Sequence, residues 1–436
     1  MPGGNQSFGT GASVGVTVED SIAIDVANGN LKLVNDSAAP GNSKYYGTNA
    51  VGVLGYNALP VVPFTSVLKY GADPTGVSDS TTAINNAIAA MPSAGGTLYF
   101  PAGTYKVSST ITISKPGTYL GDGPTSVTIV TSSATADVFL FNTSGIVFKG
   151  MQIQASVTRT AGYYINMGAG IANIYISEFF LTQFFWGIHM NAVASVIRDG
   201  FFINGVAGTG VGIVVDGSGS SIFHGLVMSN GSQIAAGIQF NVGGCFMSDC
   251  DISFCGNALN LSPGTGQVVA DLTVVHCDFD HSVNGAVFNA NPGSIVRCKF
   301  TGCWFSSHTV RGVLMQTGGA GGIDGVTFVN CEMHQNGSDG VTIATTAISN
   351  VRIFDSALCG NTNHGINLAN GLVQFAISGN RIGNGFSFVG NGGWGIVFGG
   401  ANNDCVVTGN DLRGNTAGEM TGTPAVSATV VIANNI

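Results

Sequence analysis

With 14 Lys and Arg against 23 Asp and Glu in 436 residues, the chain carries a formal charge of −9, spread thinly and without a basic run, which argues against a nucleic-acid partner. Charged residues make up only 8%, far below the roughly 25% of an ordinary soluble domain, so Asn, Ser, Thr and 66 Gly must cover the surface. No apolar run reaches the length of a membrane span, since even Phe179 to Met190 is broken by Thr182, Gln183 and His189. Residues 1–62 stand apart. Met1 to Gly11 lacks the basic-then-apolar arrangement of an export signal, and alternation in Ser21 to Val26 and Leu31 to Val34, split by Asn28 and Gly29, predicts a hairpin. A piece this small buries little alone, and needs copies of itself or another protein to hold it. Asp79 as N-cap opens the one convincing helix, 79–91, with Ala83, Ile84, Ala87, Ile88 and Met91 on one face and Pro92 with Gly95 and Gly96 ending it. Thr97 to Phe100, Tyr105 to Val107, Ile111 to Ile113 and Tyr119 to Leu120 follow as short predicted strands.

A repeat then governs the rest of the chain. Glycine followed by an alternating apolar pair recurs at Gly162, Gly187, Gly212 and Gly237, 25 residues apart, and continues through Gly285, Gly312, Gly340, Gly365 and Gly395, with Asp137 and Ala258 filling two slots. A fixed period of this size means stacked units that bury their apolar faces against one another. Two-residue alternation makes the units strands, each entered by a tight bend that glycine would supply. The prediction is an all-β chain: a right-handed single-stranded parallel β-helix of 11 to 12 coils over 63–420, capped by the helix, with a strand-like tail at 421–436. With only a short stretch after Gly418, no large C-terminal domain is expected.

The residues VLKYGADPTGVSDSTTAINNAI from Val67, GGTLYFPAGTY from Gly95 and LGDG from Leu120 resemble the opening of the pectate-lyase-like β-helix family of bacteriophage tailspikes and polysaccharide-degrading enzymes. The stretch NDSAAPGNSKYYGTN resembles segments that precede the β-helix in phage tail proteins. The resemblance implies a homotrimer on the virion tail, attached through residues 1–62 to a tail or baseplate protein and acting outside the cell. It leaves activity open, because such proteins include lyases, hydrolases and binders.

The nine cysteines are odd in number and contain no CxxC pair; Cys250, Cys277, Cys303 and Cys331 lie 8, 8, 9 and 9 residues before their slots, as one inward, inert ladder. Counting outward from it gives a first column of Asp251, Asp278, Trp304 and Glu332, and a second of Ser253, Asp280, Ser306 and His334. One coil is about 4.8 Å, so Asp278 and Glu332 would lie roughly 9.6 Å apart around Trp304, an acid/base spacing for an inverting hydrolase, with Asp280 or His334 assisting and the indole stacking on a sugar. Solvated acids at β-helix bends give the same column without catalysis. Trp186 and Trp394 would serve as further sugar platforms or pack between subunits, and Asp251 lines the sugar path. His224–Gly225 and His364–Gly365 are like a polygalacturonase fragment, but its paired aspartates and Arg-x-Lys element are absent. No cofactor or metal is expected: His189 and His276 read as structural, and the aspartates near 249–280 lack the arginine that calcium-dependent lyase chemistry needs. The reading is a spike that binds host-surface polysaccharide, with glycan cleavage as the alternative and a structural tail subunit behind both.

Overall fold

The computed structural model describes residues 64–436 apart from 218, 370–371, 386–387, 401 and 423–429, and the backbone of four short strands ahead of them. The chain divides into two compact units, Met1–Val62 and Pro63–Ile436. In the first, Ile22–Ile24 pairs antiparallel with Leu31–Leu33, the predicted hairpin, and Lys44–Thr48 pairs with Leu54–Ala58. The remainder of that unit lies outside the described residues. Among the described residues no helix is long and apolar enough to cross a membrane.

The second unit is a parallel β-helix of about 13 coils. The first face runs from Ile111–Ile113 and Phe139–Phe141 through Trp186–Met190 to Gly418–Thr421. Its earliest strands carry no glycine, which is why a count of the glycine ladder falls short. The second face ends with Val431–Ala433 paired to Val406–Thr408, so the tail adds a strand to the stack. The third holds Gly103–Val107, Val127–Thr131 and, further along, Asp278–Asp280, Trp304–Ser306, Glu332–His334 and Ala357–Cys359. Left-handed corners separate second and third faces at Asp249, His276, Asn330 and Asp355, with φ of 48° to 53°. Short polar side chains tolerate that conformation best after glycine.

At the open first coils sits the helix Thr81–Ala89, which buries Ala83, Ile84, Ala87 and Ile88, with Met91 buried just beyond. Its N-cap is Ser80, one residue later than expected. Asp79 instead accepts bonds from the Thr81 backbone N–H and hydroxyl, at 3.0 and 2.6 Å. Asn85 ties the helix to the first face, accepting from the Thr112 N–H at 3.1 Å.

The glycine ladder is real, but two of its premises change. Register opposes Trp186 to Tyr163, so Gly187 lies across from Tyr164 and the first true slot is Tyr164, not Gly162. By the same count the slot before it is Val138, not Asp137. The reason for glycine is also different. None of Gly187, Gly212, Gly237, Gly285, Gly312, Gly340, Gly365 or Gly395 has a left-handed φ. A Cβ on Gly187, Gly212 or Gly312 would instead lie 2.3 to 2.6 Å from the carbonyl oxygen of the next glycine in the stack. Close approach of backbones, not bending, requires the missing side chain.

Inside, like stacks on like: Phe279 on Phe305, and Phe300 on Phe328, each with ring centres 5.0 Å apart. All nine cysteines are buried thiols. The cysteine column changes chemistry partway, continuing from Cys331 into Ser356, Asn380, Asn410 and Asn435 through N–H to side-chain oxygen bonds of 2.9 to 3.1 Å. A second ladder runs Asn336, Asn361, Asn391 and Asn415. In it each amide oxygen accepts from both the backbone N–H and the Nδ2 of the asparagine before it.

Gly312→Ala drives a Cβ into the Gly340 carbonyl, and should lower unfolding free energy by about 1–3 kcal/mol. Gly170→Ala, where φ is 77° and nothing lies within 4 Å, should cost only the left-handed backbone strain, about 1–2 kcal/mol; urea midpoints at constant slope measure both. Asn391→Ala strands the Leu358 carbonyl and the Asn361 N–H in the core, at about 1–3 kcal/mol for each orphaned group. An Asn391→Ala midpoint equal to that of the unmodified chain would refute the ladder's role.

Candidate functional site

The third face is built by a repeated local pattern: a left-handed corner, a buried small residue, then a three-residue strand. With Cys277 and Phe279 pointing inward, Asp278 and Asp280 necessarily point away from the core. Register then aligns Asp251 with Asp278, Asp278 with Trp304, and Trp304 with Glu332. The adjoining column aligns Ser253, Asp280, Ser306 and His334. Coil spacing sets Asp278 and Glu332 about 9.6 Å apart by backbone position.

The environments of the acids differ. Burial, with Asp280 and Asp251 beside it, pushes the Asp278 carboxyl up to about 6. One of its oxygens is buried without a hydrogen-bond donor. Burial and Asp280 also raise Asp251. Burial works against ionisation of Asp280 too, yet the Ser306 hydroxyl at 2.8 Å and the His281 ring at 2.6 Å outweigh it and hold Asp280 below the usual range. One half-buried acid is thus disposed to keep its proton while its neighbour two residues on is disposed to lose it.

Trp304 is 42% exposed and packs edge-on against His334, ring centres 4.9 Å apart. The second column is not the open surface that counting outward suggested: Ser253, Ser306 and His334 are buried, and His334 is only 2% exposed. Phe388 stacks on its ring at 4.3 Å. This cover comes from the segment after Ile382, where the glycine interval widens to 30 residues between Gly365 and Gly395. Burial lowers the affinity of His334 for a proton, against the opposing pull of Glu332, whose carboxylate lies 3.7 Å away. In this setting His334 is a wedge between Phe388 and the indole.

Trp186 and Trp394 lie elsewhere, on the first face. Trp186 stacks on Tyr163 at 4.8 Å and packs against the buried Val211, Val214 and Ala236. Trp394 lies in the same column many coils away, paired with Gly418. Neither joins Trp304. His189 bridges Asn166 and Asp216, at 2.8 and 2.9 Å, and His364 accepts the Trp394 N–H.

The profile of the rhamnogalacturonase A/epimerase, pectate lyase-like family matches residues 64–287, just over half of the chain. The chain belongs to this family. Among solved structures it is similar to the tailspike protein of E. coli bacteriophage HK620 in complex with a pentasaccharide, at 13% identity over 90% of this chain and 84% of that one, with a TM-score of 0.65. It is also similar to the A-modules of the Azotobacter vinelandii mannuronan C-5 epimerases AlgE6 and AlgE4. AlgE6 is 16% identical, covering 85% of this chain and 98% of that one at a TM-score of 0.56. AlgE4 is 17% identical, covering 85% and 100% at 0.54. At such identities the likeness is one of fold. No curated protein sequence matches the chain.

This pectate lyase-like chain therefore presents a half-exposed indole in a column of acids. Residues that counting from the cysteines did not reach are Phe388, supplied by the wide interval, and the continuation of the first column beyond Glu332 through Ala357 and Arg381 to Asp411. Because Asp278 takes up its proton more readily in the folded chain, the folded state binds the extra proton between about pH 4 and pH 6, and its stability falls as pH rises through that window. Asp278→Asn should raise the thermal midpoint near pH 7.5 by more than near pH 4.5. Equal effects at both pH values would show that Asp278 is an ordinary solvated acid.

Proposed function

We propose that the chain is the β-helix spike of a phage tail, acting outside the cell, which holds host-surface polysaccharide along its third face. Three copies would form the spike, with residues 1–62 received by a tail or baseplate protein. The observation that carries the binding role is Trp304: an exposed indole locked by His334 and Phe388, with Asp278 and Glu332 one coil to either side. An indole covers the apolar face of a pyranose while the flanking carboxylates accept its hydroxyls. The tailspike likeness over 90% of the chain, to a protein held with a pentasaccharide, supports the same reading.

Cleavage is the second reading, and the raised Asp278 carboxyl favours it. Asp278 would give its proton to the glycosidic oxygen as the bond to the anomeric carbon breaks. Glu332 would take a proton from the water whose oxygen replaces it, with inversion expected at a separation of about 9.6 Å. Asp280 would remain the charged neighbour that keeps Asp278 protonated. Asp251 would line the sugar path, with Trp186 and Trp394 free to serve a separate surface on the first face.

Retention on immobilised host polysaccharide and reducing-end release separate the two readings. Trp304→Ala should weaken retention about tenfold, equivalent to roughly 1.4 kcal/mol. Asp278→Asn and Glu332→Gln should abolish any release while keeping most retention, because each amide oxygen still accepts a sugar hydroxyl. Full retention by Trp304→Ala would remove the binding site from this face, and undiminished release by both acid variants would end the catalytic assignment.

A further inference from the structure

The corner that closes the third face recurs from coil to coil, and register places Gln183, Asn204, Phe254, His281, Ser307 and Gln335 in one column there. All six have a left-handed φ, between 48° and 59°. Polar side chains are what this conformation tolerates, and a large apolar one strains it. Among the described residues Ala194 and Phe254 are the only apolar non-glycine residues with a positive φ, and Phe254 is the only large one. Burial does not offset the strain, because Phe254 is 41% exposed. Two costs thus meet at one residue, where Asn or Gln serves other coils. Strain held in this way clusters at sites of function.

The ring is also held in place. Phe254 stacks on His281, with ring centres 5.3 Å apart and planes 26° from parallel. Asp280 fixes His281 in turn, through the ring Nδ1 at 2.6 Å and the backbone N–H at 2.9 Å. The Ser306 hydroxyl holds Asp280 from the next coil, at 2.8 Å. An exposed aromatic locked by a histidine is the same construction as Trp304 on His334.

Position joins the two rings into one surface. Phe254 lies three residues beyond Asp251 on the same coil, and Asp251, Asp278 and Trp304 occupy successive coils. Phe254 and Trp304 are therefore two coils apart, about 9.6 Å along the axis, and at most about 10 Å apart across the face. The coil of Asp278 lies between them. A polymer touching both rings must cross the acids.

We propose that Phe254 is a second sugar platform, taking the apolar face of a pyranose, so that the polysaccharide is held on both sides of Asp278 and the face accepts internal stretches of the polymer rather than its ends. This rests on the glycan-binding reading of the third face. It explains why a strained, exposed ring stands at a corner that Asn would occupy without penalty, since a ring face is what a pyranose needs and an amide lacks.

The test uses the full chain on an array of purified bacterial O-antigen and capsular polysaccharides, followed by the polysaccharide that retains it best. Phe254→Asn should weaken retention about tenfold, while the thermal midpoint holds or rises by up to about 2 °C as the left-handed strain is relieved. Phe254→Tyr keeps the ring and should be retained like the unmodified chain. Fragments of that polysaccharide, sized after partial acid hydrolysis, should compete more strongly once long enough to meet both rings, a gain that Phe254→Asn removes. Full retention of Phe254→Asn, a lowered midpoint, equal weakening by Phe254→Tyr, or a length gain that survives Phe254→Asn would each make Phe254 a structural corner residue and overturn the second platform. Glycan binding would still stand if Trp304→Ala weakened retention. Retention of the unmodified chain by no polysaccharide on the array would overturn both.

Discussion

Everything in this molecule depends on one distance: each coil lies on the next at strand spacing, about 4.8 Å, so every side chain has its counterpart in the neighbouring coil as its nearest neighbour. Inside, this demands partners that tolerate self-contact. Phenylalanine does so by ring stacking and cysteine by being small and apolar. Asparagine does so because its amide is both donor and acceptor, which lets Asn361 give to Asn391 and Asn391 to Asn415 without leaving an orphan. Glycine marks the limit of the same rule, where backbones approach so closely that no Cβ fits. Outside, the constraint penalises like charges, which explains a chain in which only 8% of residues are charged. Two unit charges at such a distance repel by about 3–4 kcal/mol at an effective dielectric of 20.

Against that background the acids of the third face are an exception that needs a reason. Asp251 and Asp278 are stacked directly, and Asp280 stands two residues along the same strand. The fold relieves the conflict unequally. Asp280 has two donors, Ser306 and His281, whereas one Asp278 oxygen is buried with none. Proton affinity is thereby divided between neighbours by hydrogen-bond supply as much as by charge. A purely structural bend would be expected to satisfy every acid, as Asp137 is satisfied by the Tyr163 N–H and Asn166, or Asp324 by Ser349 and Asn350.

The fold was legible because the period is written in backbone requirements: no residue but glycine fits most slots of the first face, so the letters repeat. The first outward column was legible for a related reason, since the inward cysteines set a register that cannot slip by one residue without exposing Phe279 and Phe305. What was not legible depended on three dimensions. Tyr164 occupies a glycine slot because its hydroxyl reaches the Thr182 and Gln183 carbonyls, and no spacing announces that. Asp79 looks like an N-cap by type, but its turn to Thr81 places the cap on Ser80. Most asparagines of the two ladders follow a glycine in the sequence, yet a polar residue repeated at one slot reads as surface until the stack turns it inward.

His334 shows most directly how a solenoid makes a site. The outward register of its column is correct, but an outward position on a β-helix is exposed only where no neighbouring coil carries an insertion. The long interval before Gly395 brings Phe388 over the column and converts a candidate proton carrier into a support for Trp304. The repeating coils supply a straight, rigid row of positions one sugar-sized step apart, and irregular intervals decide which of them are walled, wedged or left open. On this face the wall falls over His334 and the open positions are Asp251, Trp304 and Glu332. On the proposed reading a polysaccharide would meet the column unit by unit, with each coil contributing one side chain to one unit.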